Sequence, residues 1–80
     1  MDCRADVIQR LQELNNTHCE KLHKALFFLN ETERAIIERY YIDPERVNIM
    51  ALAVELHYDQ RTIKRKKEAA LDKLIVELHG

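Results

Sequence analysis

A short run of basic side chains carries the clearest chemical signal in the sequence. The seven positions from Arg61 to Lys67 read RTIKRKK and contain five basic residues and no acidic residue. The whole chain has a formal net charge of −1, so the positive charge is concentrated locally. Guanidinium and ammonium groups bind phosphates, and an arginine can also donate two hydrogen bonds to a guanine edge. The run therefore predicts a binding site for a nucleic acid.

A helix over residues 59–78 would sort these side chains onto two faces. Ile63 would share one face with Ala70 and Leu74, because their spacings match the helical repeat, and this apolar face must be buried. Polar side chains near the helix N-terminus would then point outward, where they can reach base edges or phosphates. The predicted DNA contacts are Gln60, Arg61, Thr62, Lys64, Arg65, Lys66 and Lys67.

An ordinary solvated helix face is the alternative interpretation of the basic run. Glu55, Glu68 and Asp72 can pair with some of the bases. Lys67 lies at the edge of the apolar face, so its alkyl stem can cover the core while its ammonium reaches water. We prefer groove contact, because the basic residues directly follow a turn and a helix cap.

Composition indicates the kind of fold that positions this run. The 80 residues include one glycine and one proline, too few for the regular turns of a β-rich protein. Hydrophobic residues make up 46% of the chain, which is enough for one small core. We therefore expect an all-α protein, a small helical bundle, with an N-terminal helical segment over residues 1–29 and a C-terminal unit over residues 30–80.

The N-terminal segment carries a helical stripe of apolar residues at spacings of three and four. The sequence NNTHCE interrupts this stripe, and Thr17 with Glu20 fits a capping box, so we expect two helices. One helix over residues 2–28 is the alternative. The stripe either forms a homodimer through residues 4–29 or folds back over the C-terminal half. Its members are Val7, Ile8, Leu11, Leu14, Leu22, Ala25, Leu26 and Leu29.

The C-terminal unit shows three candidate helix caps, of which the last is the aspartate that ends the tight turn HYD. The caps are Asn30, Asn48 and Asp59. The first of these helices should end before Pro44, since the residue preceding a proline avoids helical geometry. The second should span about 49–56. The predicted buried residues are Phe27, Phe28, Ile36, Ile37, Tyr40, Tyr41, Leu52, Ala53, Leu56, Ile63, Ala70, Leu71, Leu74 and Leu78.

Two stretches of the chain resemble region 4 of bacterial sigma factors. LNETERAIIERYY, residues 29–41, is similar to the family pattern L-P-x-x-E-R-x-V-I-x-L-R-Y, and LAVELHYDQRTIKRKKEAALDKL, residues 52–74, is similar to its helix-turn-helix. The resemblance extends over residues 29–78. The matching residues are Leu29, Glu33, Arg34, Ile36, Ile37, Tyr41, Leu52, Ala53, Leu56, Thr62, Ile63, Ala70, Leu71, Lys73 and Leu74.

The resemblance implies a recognition helix, about residues 59–78, in the major groove of double-stranded DNA. Small phage transcriptional regulators of the ArpU and RinA type keep only this helix-turn-helix, and the chain is similar to them in size. The implied function is a sequence-specific regulator of transcription in the cytoplasm of a bacterial host. Four positions depart from the family pattern: Asn30 replaces a proline, His57 a turn glycine, Tyr58 an isoleucine or valine, and Asp59 a serine or threonine cap.

Several function classes find no support in the residues. The chain has no nucleophile beside a base and no glycine-rich phosphate loop, so we predict that it is not an enzyme and binds no cofactor. His18, Cys19 and His23 do not make up a zinc ligand set, so no metal site is predicted. No apolar stretch reaches 18 residues, and two cysteines do not form a disulfide framework, so we expect no membrane span and a cytoplasmic location.

A protein-binding module is the alternative function. Region 4 of sigma factors also docks on RNA polymerase, so the resemblance allows an adaptor, an inhibitor or a phage-encoded decoy on the same fold. The nearly neutral net charge favours this alternative, whereas the local basic run favours DNA.

Overall fold

The computed structural model describes residues 3–14, 19–43 and 45–79, which contain five α-helices and no strand. This confirms the predicted all-α bundle. None of the helices in these ranges is long and apolar enough to cross a membrane. The helices are α1 (Cys3–Glu13), α2 (Glu20–Leu26), α3 (Glu31–Ile37), α4 (Ile49–Leu56) and α5 (Gln60–His79), and a π-helical turn (Glu38–Ile42) continues α3.

The long helix α5 is the element on which the rest of the bundle packs. Val7 and Leu11 of α1 and Leu22 of α2 are fully buried in one cluster with Leu71 and Leu74 of α5. The N-terminal stripe therefore folds back over the C-terminal half and completes one core. Each fully buried leucine or valine contributes about 1.5–3 kcal/mol through removal of apolar surface from water.

A second, smaller cluster fixes the start of α5. Ile63 is fully buried against Leu52 and Ala53 of α4 and Ile36 of α3. These contacts set the rotation of α5 about its axis over its first turns. Every residue on the opposite side of that segment is consequently directed away from the bundle.

Side-chain caps begin three of the helices, as the sequence predicts. Asn30 accepts a hydrogen bond from the Glu33 backbone N–H at 2.8 Å, and the Glu33 carboxylate accepts one from the Asn30 N–H at 3.2 Å, which completes a capping box. Asn48 accepts from the Ala51 N–H at 2.8 Å. The helix after Asn30 ends where expected, with Asp43 in an extended conformation.

The N-terminal segment forms two helices, not one, since α1 ends at Glu13 and α2 begins at Glu20. Thr17, the predicted partner of Glu20 in a capping box, lies outside the described residues. Cys19 is the residue that precedes α2, with an extended backbone and no side-chain cap.

The prediction that Phe27 and Phe28 belong to the core is wrong. Their side chains are 75% and 67% exposed. The reason is local: α2 ends at Leu26, and the chain tightens so that the Phe28 N–H bonds to the Ala25 carbonyl at 3.0 Å. The buried stripe passes directly from Leu26 to Leu29, and the two rings are left outside it.

Candidate nucleic-acid interface

The turn between α4 and α5 consists of residues 57–59 and is built around a left-handed residue. His57 has φ 63° and ψ 39°, and the Tyr58 N–H bonds to the Ala53 carbonyl at 3.0 Å, which closes the end of α4. A left-handed residue after a helix is most often glycine, but histidine tolerates this region better than most residues. The turn thus redirects the chain within three residues.

Asp59 starts α5 by binding its first turn. Its carboxylate accepts a hydrogen bond from the Thr62 backbone N–H at 2.6 Å. This backbone bond, a second bond from the Thr62 hydroxyl, and the nearby charges of Arg61 and Arg65 lower the pKa of Asp59. Thr62, one of the predicted DNA contacts, is half-buried, and both its backbone N–H and its hydroxyl bind the Asp59 carboxylate.

Four of the predicted contacts form one outward surface on the first turns of α5. Among the residues that the structure describes, Arg61, Lys64 and Arg65 make no ion pair with a carboxylate. We call the exposed residues of this surface the basic face: they are Gln60, Arg61, Lys64 and Arg65.

The other two predicted contacts are held by aromatic rings. The Lys66 ammonium lies 5.2 Å from the centroid of the Tyr58 ring. The Lys67 ammonium lies 4.8 Å from the centroid of the Tyr40 ring, and its side chain is only 15% exposed. The Lys67 stem follows the core, as its position in the helix suggested. Its charge faces that ring and the carboxylate of Glu68, which is 3.7 Å away.

The carboxylates that could neutralise the basic face have partners elsewhere. Glu55 pairs with Arg39 at 3.1 Å. Glu68 pairs with Arg4 of α1, and the hydrogen bond from Arg4 is the main reason that the pKa of Glu68 is lowered. Two of the three acidic residues named as competitors are thus engaged by other cations, and the Asp59 cap is the carboxylate whose charge lies near Arg61 and Arg65.

One ion pair near the interface was not predicted from the sequence. The Lys73 ammonium on α5 lies 2.7 Å from the carboxylate of Glu33 on α3, whose side chain is 6% exposed. Burial alone would raise the pKa of Glu33, but hydrogen bonds from Lys73 and from the Asn30 N–H outweigh it and lower that pKa. The capping box marked Glu33 in the sequence, but no local pattern pointed to a partner 40 residues away.

The basic face is chemically suited to reading a duplex. Arginine and lysine are pure donors, and glutamine offers both a donor and an acceptor, so Gln60 with Arg61 and Arg65 can address adenine and guanine edges. No cluster of three or more potential metal-ligating side chains occurs among the described residues. His18, which the sequence analysis considered as a zinc ligand together with Cys19 and His23, lies outside the described residues.

Comparisons of the chain with protein-family models, with curated proteins and with solved structures find no match.

Proposed function

We propose that the protein is a sequence-specific double-stranded DNA-binding regulator of transcription, in which α4 and α5 act as a helix-turn-helix. The observation that carries the proposal is the basic face, four exposed polar or basic side chains at the start of α5, of which Arg61, Lys64 and Arg65 make no ion pair among the described residues. Burial of Ile63 holds this face outward. The resemblance of residues 29–78 to sigma factor region 4 supports the same assignment.

The dimensions of α5 suit the proposed binding mode. An α-helix with its side chains is about 10–12 Å wide, and the major groove is about 12 Å wide. The first two turns of α5 would enter the groove, with Arg61 and Arg65 one turn apart on the leading side. Lys64 would then lie near a phosphate and set the register without reading sequence.

In vitro selection from a random duplex library, followed by affinity measurement, tests this proposal. We expect a selected sequence that binds more tightly than a scrambled duplex. Arg61→Ala or Arg65→Ala should each cost about 1–3 kcal/mol if a bidentate base contact is lost. Arg10→Ala is the matched control, because it removes the same charge from an exposed pair with Asp6 on α1.

Failure of the selection to enrich any sequence would contradict sequence-specific binding. An equal loss of affinity for Arg10→Ala and Arg61→Ala would contradict the assignment of the basic face, since it would mean that only total charge matters.

A protein-binding adaptor or inhibitor, with RNA polymerase as one candidate partner, is the second proposed function. The exposed apolar side chains of Met50 and Val54 favour it, because they lie one turn apart on α4 and are 61% and 74% exposed. A pull-down from nuclease-treated bacterial lysate separates the two functions. A partner retained by the native chain and lost with Val54→Asp supports the adaptor, and loss of every partner after nuclease supports DNA binding.

A further inference from the structure

Asp59 places a carboxylate directly in front of the basic face. It precedes Gln60 in the chain, and its side chain is exposed. The charges of Arg61 and Arg65 act on it and are among the causes of its lowered pKa. Neither arginine forms an ion pair with it in the described structure. The carboxylate is therefore presented to the same ligand as the two guanidinium groups.

The helix cap accounts for Asp59 only in part. Its carboxylate accepts hydrogen bonds from the Thr62 N–H at 2.6 Å and from the Thr62 hydroxyl. Asparagine and serine cap helices about as well as aspartate, so the cap does not need a negative charge. A carboxylate has about four acceptor positions, and the two bonds to Thr62 leave others open to a ligand.

A negative charge at this position opposes binding through phosphates alone. Non-specific binding of a duplex comes almost entirely from basic side chains on phosphates. Two like charges 4 Å apart in water repel each other by an amount that lowers affinity about fivefold, and salt at about 0.1 M screens this repulsion over roughly 10 Å. Asp59 thus weakens binding to every duplex that gives its carboxylate no hydrogen bond in return.

An ionised carboxylate also distinguishes bases, because it accepts hydrogen bonds and donates none. In the major groove the amino groups of cytosine and adenine are donors, whereas the groove edges of guanine and thymine present acceptors. A carboxylate that faces guanine or thymine is left unpaired and is repelled. Asp59 can therefore select between bases as well as oppose phosphates.

We propose that Asp59 is a specificity-determining residue of the basic face, an inference that rests on the proposed DNA-binding function. Its carboxylate accepts a hydrogen bond from the exocyclic amino group of a cytosine or adenine beside the base that Arg61 contacts, and it disfavours duplexes that lack this group. Arg61 and Arg65 supply the attraction to DNA, and Asp59 discriminates against the wrong sequences.

Fluorescence anisotropy with the selected duplex and with a scrambled duplex tests the inference. Asp59→Asn and Asp59→Ser remove the charge and retain a capping side chain, and circular dichroism verifies that both variants keep the native helix content. We expect both to bind the scrambled duplex at least about threefold more tightly than the native chain at about 50 mM salt. The ratio of the affinities for the two duplexes should fall about fivefold or more.

A repeated selection tests the contact with the base. The native chain should select cytosine or adenine at one position next to the base that Arg61 contacts. Asp59→Ser should accept guanine and thymine there as well, because a hydroxyl both donates and accepts hydrogen bonds.

Glu77→Gln is the matched control for the loss of one negative charge. Glu77 is exposed on the same helix, beside a groove that Phe28 and Val76 line. It lies 18 residues beyond Asp59, which is about 27 Å along the axis of α5 and beyond the reach of its charge at about 0.1 M salt. Its variant should bind both duplexes as the native chain does.

Two results would overturn the inference and leave the proposed function intact. One is that Asp59→Asn and Asp59→Ser bind the scrambled duplex no more tightly than the native chain, because loss of a carboxylate that only caps α5 cannot raise affinity. The other is an equal rise in affinity for Glu77→Gln, which would mean that only total charge matters. A native chain that binds no duplex would overturn the proposed function together with this inference.

Discussion

At the scale of single residues, Glu33 links a helix end to the core. Its carboxylate accepts hydrogen bonds from the Asn30 N–H and from the Lys73 ammonium, so α3 is tied to α5 through one side chain. Lys73 keeps half of its side chain in solvent, which allows it to pair without full desolvation. These contacts lower the pKa of Glu33 below its ordinary value of 4.5 even though the residue is buried.

Protonation of Glu33 should therefore destabilise the fold in acid. A carboxyl group with a lowered folded-state pKa contributes stability above its unfolded pKa, and that contribution is lost as the pH falls through the folded value. We expect the free energy of unfolding to fall below about pH 4.5, and Glu33→Gln to remove part of this dependence. At neutral pH the variant should lose about 1–3 kcal/mol, as measured by urea unfolding.

Glu31→Gln is the control for this experiment, because Glu31 is an exposed neighbour in the same helix turn. Its acid dependence should equal that of the native chain. A Glu33→Gln variant that loses as much stability in acid as the native chain would show that Glu33 is not the group responsible.

At the scale of elements, the turn before α5 carries a backbone cost. His57 adopts a left-handed conformation with φ 63°, where a side chain with a Cβ is disfavoured. His57→Gly should raise the free energy of unfolding by about 1 kcal/mol, since glycine takes this conformation without strain. Thermal unfolding measures the change.

Tyr58→Gly provides the comparison, because it lies next to His57 and has no positive φ in the described structure. That substitution should destabilise the protein through added backbone freedom and loss of the ring under Lys66. A His57→Gly variant that is less stable than the native chain would contradict the strained turn.

The elements show where sequence patterns suffice and where they do not. The caps at Asn30, Asn48 and Asp59 were predictable, because a side chain that binds its own helix terminus is a local interaction. The π-helical turn (Glu38–Ile42) was not predicted, and its Tyr41 is buried in the core with residues of other helices. That burial also raises the pKa of Tyr41 to about 12.

At the scale of the whole molecule, the N-terminal segment and α5 share one core. Leu11 of α1 is fully buried in it, so Leu11→Ala should destabilise the entire protein by about 2–5 kcal/mol. Urea unfolding followed by far-ultraviolet circular dichroism should show a single shifted transition. Gln12→Ala, on the exposed side of α1, should leave the midpoint nearly unchanged. An unshifted midpoint for Leu11→Ala would mean that α1 does not pack on α5.

The candidate site was predictable only as far as local patterns reach. The helical repeat around Ile63 placed Gln60, Arg61 and Arg65 outward. It could not show that Lys67 lies over Tyr40, because that ring comes from another element. The partner of Glu68 was equally hidden, since Arg4 is brought to it only by the packing of α1 on α5.

Nuclear magnetic resonance mapping of a duplex on the ¹⁵N-labelled protein tests the central proposal most directly. A mixed-sequence duplex at low salt suffices, because phosphate contacts alone drive non-specific binding. We expect the backbone resonances of Gln60, Arg61, Lys64 and Arg65 to shift most, and the shifts to vanish as salt is added. Shifts centred on Phe28 and Val76, or none at all, would contradict the proposal that the start of α5 binds DNA.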